Sequence, residues 1–242
     1  MQQLLPQQIS PRFVLIICKN FCSYYAGVRV VILPMTKIWM YSLLATMESM
    51  NGQWLLLRSF QISFPVKAFL SFGTLLGAYR DKGFIAYDPD VDLGVLDANL
   101  PENMIEVMAK YGFHLHKQNF IQTTGKVIED TYIYKGIHLD VFHYFEENND
   151  FYTLVAQLHE TKDWKEANTN DGFPCEKVSV VKTDFHRQPF LGIEVYMPIK
   201  THEWLVDMYS ETYMTPIKNW SEEGHKTRRT KSTERSYRKL YD

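Results

Sequence analysis

Apolar residues change their spacing several times along this chain, and each change marks an element. From Thr36 to Arg58, Ile38, Leu43, Leu44, Met47, Leu55 and Leu56 recur at helical spacing, predicting a helix broken at Gly52. Val66–Phe72 carries Val, Phe and Leu after Pro65 and stops at Gly73, the profile of a buried strand. Thr74–Arg80 then returns to good helix formers, with Thr74 as the entry cap. After a turn at Asp81–Gly83, the period becomes two from Asp90 to Val95. Asp90 and Asp92 therefore share one face of a strand, and Val91 and Leu93 the other.

A second helix is expected from Pro101, in its first turn, through Ala109, with Gly112 past its end. Three strands follow at Phe120–Thr124, Asp130–Tyr134 and Ile137–Tyr144, punctuated by Gly125 and the Lys135-Gly136 pair. In the last, Ile137, Leu139 and Val141 form an apolar side, and Asp140 lies opposite with His138 and Phe142. Residues 146–172 show no strong period and read as loop, helix and loop. Leu191–Met197 reads as a strand ended by Pro198. Thr201–Tyr209 reads as a helix with Glu203 in its first turn and Trp204, Leu205 and Met208 facing inward. Beyond Glu222 the chain turns basic and poor in aliphatics, predicting a mobile, solvated tail.

Composition narrows the function classes. A chain of 242 residues with 45% hydrophobic content can bury the core of one catalytic domain. Its formal net charge of −2 gives no basic footprint, so a nucleic-acid polymer is not the expected partner. Cys18, Cys22 and Cys175 form neither a disulfide framework nor a zinc pattern, which fits a reduced, cytoplasmic setting. Phe13–Ala45 is apolar, but Lys19, Arg29, Lys37 and Pro34 interrupt it before it reaches spanning length. That composition suits a helix packed on the core, or peripheral contact with the inner face of a membrane.

The chemistry gathers between Gly73 and Asp92. Gly73 lets the backbone approach a phosphate, and Thr74 adds a hydroxyl at the helix start. Asp90 and Asp92 on one strand face suit Mg²⁺ or Mn²⁺, hard ions that take one or two carboxylates plus substrate phosphates. Asp140 is the third carboxylate, able to ligate a metal or accept a proton from an attacking hydroxyl. Arg80 and Lys82 can add positive charge near a diphosphate, and Asp88 is an accessory acid. A lone Asp-x-Asp is common in surface loops. Here a Gly-Thr turn upstream and a second apolar strand with one embedded Asp favour a site. His138 and His143 have opposite parity and read as packing or surface residues, and Trp164, Trp204 and Trp220 as core or rim.

Phe69–Gly94, reading FLSFGTLLGAYRDKGFIAYDPDVDLG, resembles the LicD proteins and their fukutin-like relatives in the nucleotidyltransferase-fold superfamily. Leu139-Asp140-Val141-Phe142 resembles that family's third-aspartate strand, and Pro198 through Tyr213-Met214 and Pro216 its closing helix. The resemblance covers about residues 60–218. It leaves 1–59 as an apolar, helical extension and 219–242 as a basic tail. It implies an α/β fold with a mixed β-sheet flanked by helices. It also implies transfer of a phospho-alcohol, such as phosphocholine or ribitol phosphate, from a CDP-linked donor to a sugar hydroxyl. The carbohydrate acceptor would be a cell-surface glycan such as lipopolysaccharide, teichoic acid or capsule. By position, Asp90 and Asp92 look like the metal pair, Asp140 like the third carboxylate, and Gly73 with Thr74 like the phosphate turn. Pro89 departs from the acidic or polar residue of many relatives. Nucleotidyl transfer to a small molecule or sugar, and an inactive glycan-assembly subunit, are the competing expectations.

Overall fold

Alternating stretches in the middle of the chain build one sheet, and helical stretches cover it. The computed structural model describes residues 24–25, 28–29, 52–60, 67–157, 165, 168, 171–217 and 227–241. The chain divides into two units, Met1–Ala45 and Thr46–Asp242. In the first, Tyr24–Tyr25 (β1) pairs antiparallel with Val28–Arg29 (β2).

In the second unit, residues 52–60 form helix α1. Phe69–Leu70 (β3) runs into helix α2, Phe72–Leu76, which widens into a π-helical turn over Gly77–Asp81. Val91–Leu96 (β4) and helix α3, Met104–Lys110, follow. Next come His114–Ile121 (β5), Val127–Tyr134 (β6), Ile137–Glu147 (β7) and Asp150–Ala156 (β8). Phe173–Val181 (β9), Phe185–Phe190 (β10) and Ile193–Pro198 (β11) lead to helix α4, Thr201–Tyr209, and Arg229–Leu240 (β12).

The ten strands of this unit run in the order β10-β11-β3-β4-β7-β6-β5-β12-β9-β8. The pairs β11–β3 and β4–β7 are parallel and the others antiparallel, which makes the sheet mixed and the fold α/β. Strand β8 also pairs with β7, so six strands from β7 round to β8 close into a barrel. Ile121, Ile128, Phe145, Leu154 and Cys175, from five of these six strands, pack into a cluster of their own that fills it. Closure pairs β8 on both sides and so removes the open edge it would otherwise present, leaving β10 as the edge strand among the described residues.

The main core lies beside the barrel. Leu56, Leu57 and Phe60 of α1, Val91, Leu93 and Val95 of β4, and Leu139 and Val141 of β7 are buried together with Met104 and Met108 of α3. Around the fully buried Trp204 of α4 stand the rings of Phe69, Tyr144, Phe151 and Phe185. Each such side chain contributes about 1.5–3 kcal/mol by leaving water. Gly94 makes room for this cluster, because a β-carbon there would lie 2.2 Å from the Phe69 ring.

Several expectations need correction. The strand before the glycine turn is two residues long, because Phe72 takes φ 36° and turns the chain into α2 at once. Ser71 is the N-cap residue, and Thr74 lies inside the helix rather than at its cap. The next helix starts at Met104, three residues past Pro101, whose carbonyl accepts the Met104 N–H. Strand β5 starts at His114, ahead of the expected Phe120. The stretch read as loop, helix and loop holds β8, and the tail read as mobile is β12, paired on both sides within the barrel. Helix α1 belongs to the second unit, where its Leu56, Leu57 and Phe60 join the main core. Among the described residues no helix is long and apolar enough to cross a membrane. Cys18, Cys22, Trp164, Trp220 and the helix expected from Thr36 as far as residue 51 lie outside the described residues.

Candidate active site

The parallel pairing of β4 with β7 sets Asp92 directly beside Asp140. Asp90 stands just before β4, and Asp88 two residues earlier in the loop. One carboxylate oxygen from each of Asp88, Asp90 and Asp92 lies within 4.8 Å of the others. Asp140 is outside that trio, and its Oδ1 accepts the Thr131 hydroxyl across the β6–β7 pair. Asp88, expected as an accessory, is thus grouped with the strand pair.

The N-cap and first turn of α2 hold this cluster in place. The Gly73 N–H donates to Asp92 Oδ2 at 2.9 Å, and the Asp92 N–H donates to Thr74 Oγ1 at 2.9 Å. The Ser71 N–H donates to the Asp92 carbonyl at 3.1 Å. A β-carbon on Gly73 would lie 2.1 Å from Asp88 Oδ2 and 3.3 Å from Asp92 Oδ2. The close approach that glycine permits is made here by carboxylates. Thr74 is buried, with its hydroxyl turned to the β4 backbone.

Burial and mutual repulsion dominate the electrostatics. Burial pushes Asp92 well above the ordinary carboxylate range, Asp90, Asp140 and Asp88 push it further, and the Gly73 N–H opposes them. Burial, then a hydrogen bond and repulsion from Asp90, raise Asp88 to about 7. Burial and the Glu129 charge raise Asp140 to about 7, against Lys117 and the Thr131 hydroxyl. Such crowding favours a bound cation, because a divalent charge relieves desolvation and repulsion together.

The basic residues fall differently from expectation. Arg80 pairs with Asp81 through Nε at 2.7 Å and donates from Nη1 to the Tyr213 carbonyl at 3.3 Å. Lys82 donates to the Tyr79 carbonyl at 2.7 Å from a left-handed backbone position. Arg229 of β12 is a cation that the sequence reading did not single out. Its guanidinium lies 6.0 Å from the Phe72 ring and pairs with Glu176 at 3.0 Å. Its charge reaches the Tyr144 and Tyr209 hydroxyls, which also sense Asp92.

From Asp140 a chain of polar side chains crosses the sheet. Thr131 also reaches Glu129, which accepts Asn119 Nδ2 at 2.6 Å and pairs with Lys117 at 3.3 Å. Arg238 Nε then donates to Asn119 Oδ1 at 3.1 Å. His138 is exposed, as a surface reading expects. His143 is buried between Asp130 at 3.1 Å and Asp97 at 3.3 Å, a polar lock rather than simple packing.

Gln53 is a further support of the acidic loop, outside the motifs that mark the site. This α1 residue, 1% exposed, donates from Nε2 to the Asp88 carbonyl at 2.8 Å and to the Asp90 carbonyl at 2.7 Å. A polar residue amid the apolar Trp54, Leu55, Leu56 and Leu57 was the only available signal.

A family model described as LicD/FKTN/FKRP, nucleotidyltransferase domain, matches residues 65–199. Ribitol-5-phosphate transferase FKTN of Mus musculus is 31% identical over 159 residues, which are 64% of this chain and 31% of that protein. The Homo sapiens protein of the same name is 30% identical over 159 residues, with the same shares. The chain therefore matches 31% of the length of these relatives.

Proposed function

Because the chain belongs to the family of LicD, FKTN and FKRP nucleotidyltransferase domains, we propose that it transfers a phospho-alcohol from a CDP-linked donor to a sugar hydroxyl of a glycan. Ribitol phosphate is the first candidate for the transferred group, since the relatives are ribitol-5-phosphate transferases. The observation that carries this reading is the carboxylate trio at Asp88, Asp90 and Asp92, with Asp140 beside Asp92.

Crowded, partly buried carboxylates fit a hard divalent cation, and Asp88, Asp90 and Asp92 would hold Mg²⁺ or Mn²⁺. When bound, the ion supplies Lewis-acid stabilisation of charge on the transferring phosphoryl group. Asp140, held by Thr131, would accept the proton of the acceptor hydroxyl. That hydroxyl oxygen forms a bond to phosphorus as the bond to the CMP oxygen breaks. Gly73 and Thr74 would serve by holding Asp92 in place, and Arg229, whose charge reaches the same tyrosine hydroxyls as Asp92, would face the donor, whereas Arg80 and Lys82 would first have to leave Asp81 and the Tyr79 carbonyl.

The test is product analysis with CDP-ribitol and a glycan acceptor, with and without Mg²⁺. We expect release of CMP that EDTA abolishes and that Asp92→Asn lowers at least about 10-fold, because mutating even the supports of metal ligands costs about 10–100-fold. Pyrophosphate from a nucleoside triphosphate would favour nucleotidyl transfer, and no turnover of any CDP-alcohol would sink the proposal.

A further inference from the structure

Asp88 and Asp90 sit in a loop whose backbone has few hydrogen-bond partners among the described residues. Ala86, Tyr87 and Pro89 are exposed, and strand pairing starts only at Val91. The Asp88 N–H closes a short turn on Ile85 at 3.0 Å. Beyond that, the carbonyls of both acidic residues converge on the single amide of Gln53. Carbonyls only accept, so the amide nitrogen must face them, and its two hydrogens serve one each. Between them Pro89 fixes its own φ. Gln53 from one side and Pro89 from within thus leave the dipeptide step from Asp88 to Asp90 little freedom.

This arrangement leaves Gln53 Oε1 buried and without a partner among the described residues. A position that only filled the core would be served better by leucine or methionine, which carry no orphan acceptor. Helix α1 also lies upstream of the matched segment 65–199. We infer that Gln53 is a positioning residue for the metal, setting the spacing of the Asp88 and Asp90 carboxylates through their carbonyls. The inference rests on the proposal that the acidic trio binds a divalent cation.

The probe is Mn²⁺ alone, titrated into the full chain and followed by the electron paramagnetic resonance of the free ion, with no nucleotide present. Gln53→Leu removes both donors, and Gln53→Asn keeps them on a side chain one methylene too short to reach both carbonyls. Ser59→Ala serves as a control on the same helix, because the Ser59 hydroxyl bonds Tyr134 instead of the acidic loop. Thermal unfolding of each variant shows whether it folds, and if Gln53→Leu does not, Gln53→Asn decides. We expect both Gln53 variants to weaken Mn²⁺ binding about 10-fold or more, as supports of metal ligands do, with Ser59→Ala within twofold of the parent. Gln53 variants that bind like the parent would overturn the inference, as would equal weakening by Ser59→Ala. A parent protein that binds no Mn²⁺ would instead overturn the metal reading itself.

Discussion

A β-carbon at position 73 would overlap the Asp88 carboxylate, so this glycine sets how closely α2 can approach the acidic loop. Gly73→Ala must push Asp88 away or shift the turn. We expect a loss of about 1–3 kcal/mol of stability, as for overpacking elsewhere, together with weaker Mn²⁺ binding. Urea unfolding and metal titration of the variant check the two effects separately. A stable variant with parental affinity would show that the loop yields freely. The sequence made Gly73 legible as a place of close approach, because a glycine between strand and helix signals it. It could not show which groups approach, since Asp88 and Asp92 both lie beyond the whole of α2 and its π-helical turn in sequence, Asp92 nineteen residues away. Gln53 was illegible for the same reason: its partners are 35 and 37 residues distant.

Strands β4 and β7 could be read almost to the residue, because alternating Val and Leu against Asp leaves one register that buries the apolar side. Helix α4 was equally plain, with Trp204, Leu205 and Met208 on one inward face. Strand β8 was lost among acidic and amide neighbours, although Phe151, Thr153 and Leu154 are buried. Strands β6 and β7 are tied to the turn after β4 by His143, which bridges Asp130 and Asp97. Burial alone would lower this imidazole, but hydrogen bonds and charge from Asp130 and Asp97 outweigh it and raise His143 to about 8. A raised folded-state value means that the stabilisation is complete below the unfolded value of about 6.5 and is lost as pH rises through about 8. The parent should therefore lose stability between pH 6.5 and 8.5, and His143→Gln should flatten that part of the profile. Urea midpoints measured across this range check it, and an unchanged slope in the variant would assign the effect elsewhere.

At the scale of the molecule, the six-stranded barrel depends on a strand that composition disguised. Within Arg229–Leu240 only Tyr237 and Leu240 are large and apolar, so no hydrophobic period announces it. Backbone pairing to β5 and β9 holds it, reinforced by Arg229 on Glu176 and Arg238 on Asn119. Truncation after residue 226 should open the barrel, remove Arg229 from beside Phe72 and abolish cooperative unfolding. Near-ultraviolet circular dichroism through a urea series checks this, and a sharp parental transition in the truncated chain would show that β12 is dispensable.

The strand order also sets a timetable for synthesis. Of the six staves, β12 is the last to emerge from the ribosome, yet it belongs between β5 and β9, which are made long before it. Until residue 240 is available, those two strands each present an unpaired edge, and β5 waits for more than a hundred residues of elongation. The nascent chain can assemble the β4–β7 pair and its carboxylates early, while the barrel beside them stays open. Pairing of a foreign strand in the β12 gap is therefore the misassembly that this strand order invites.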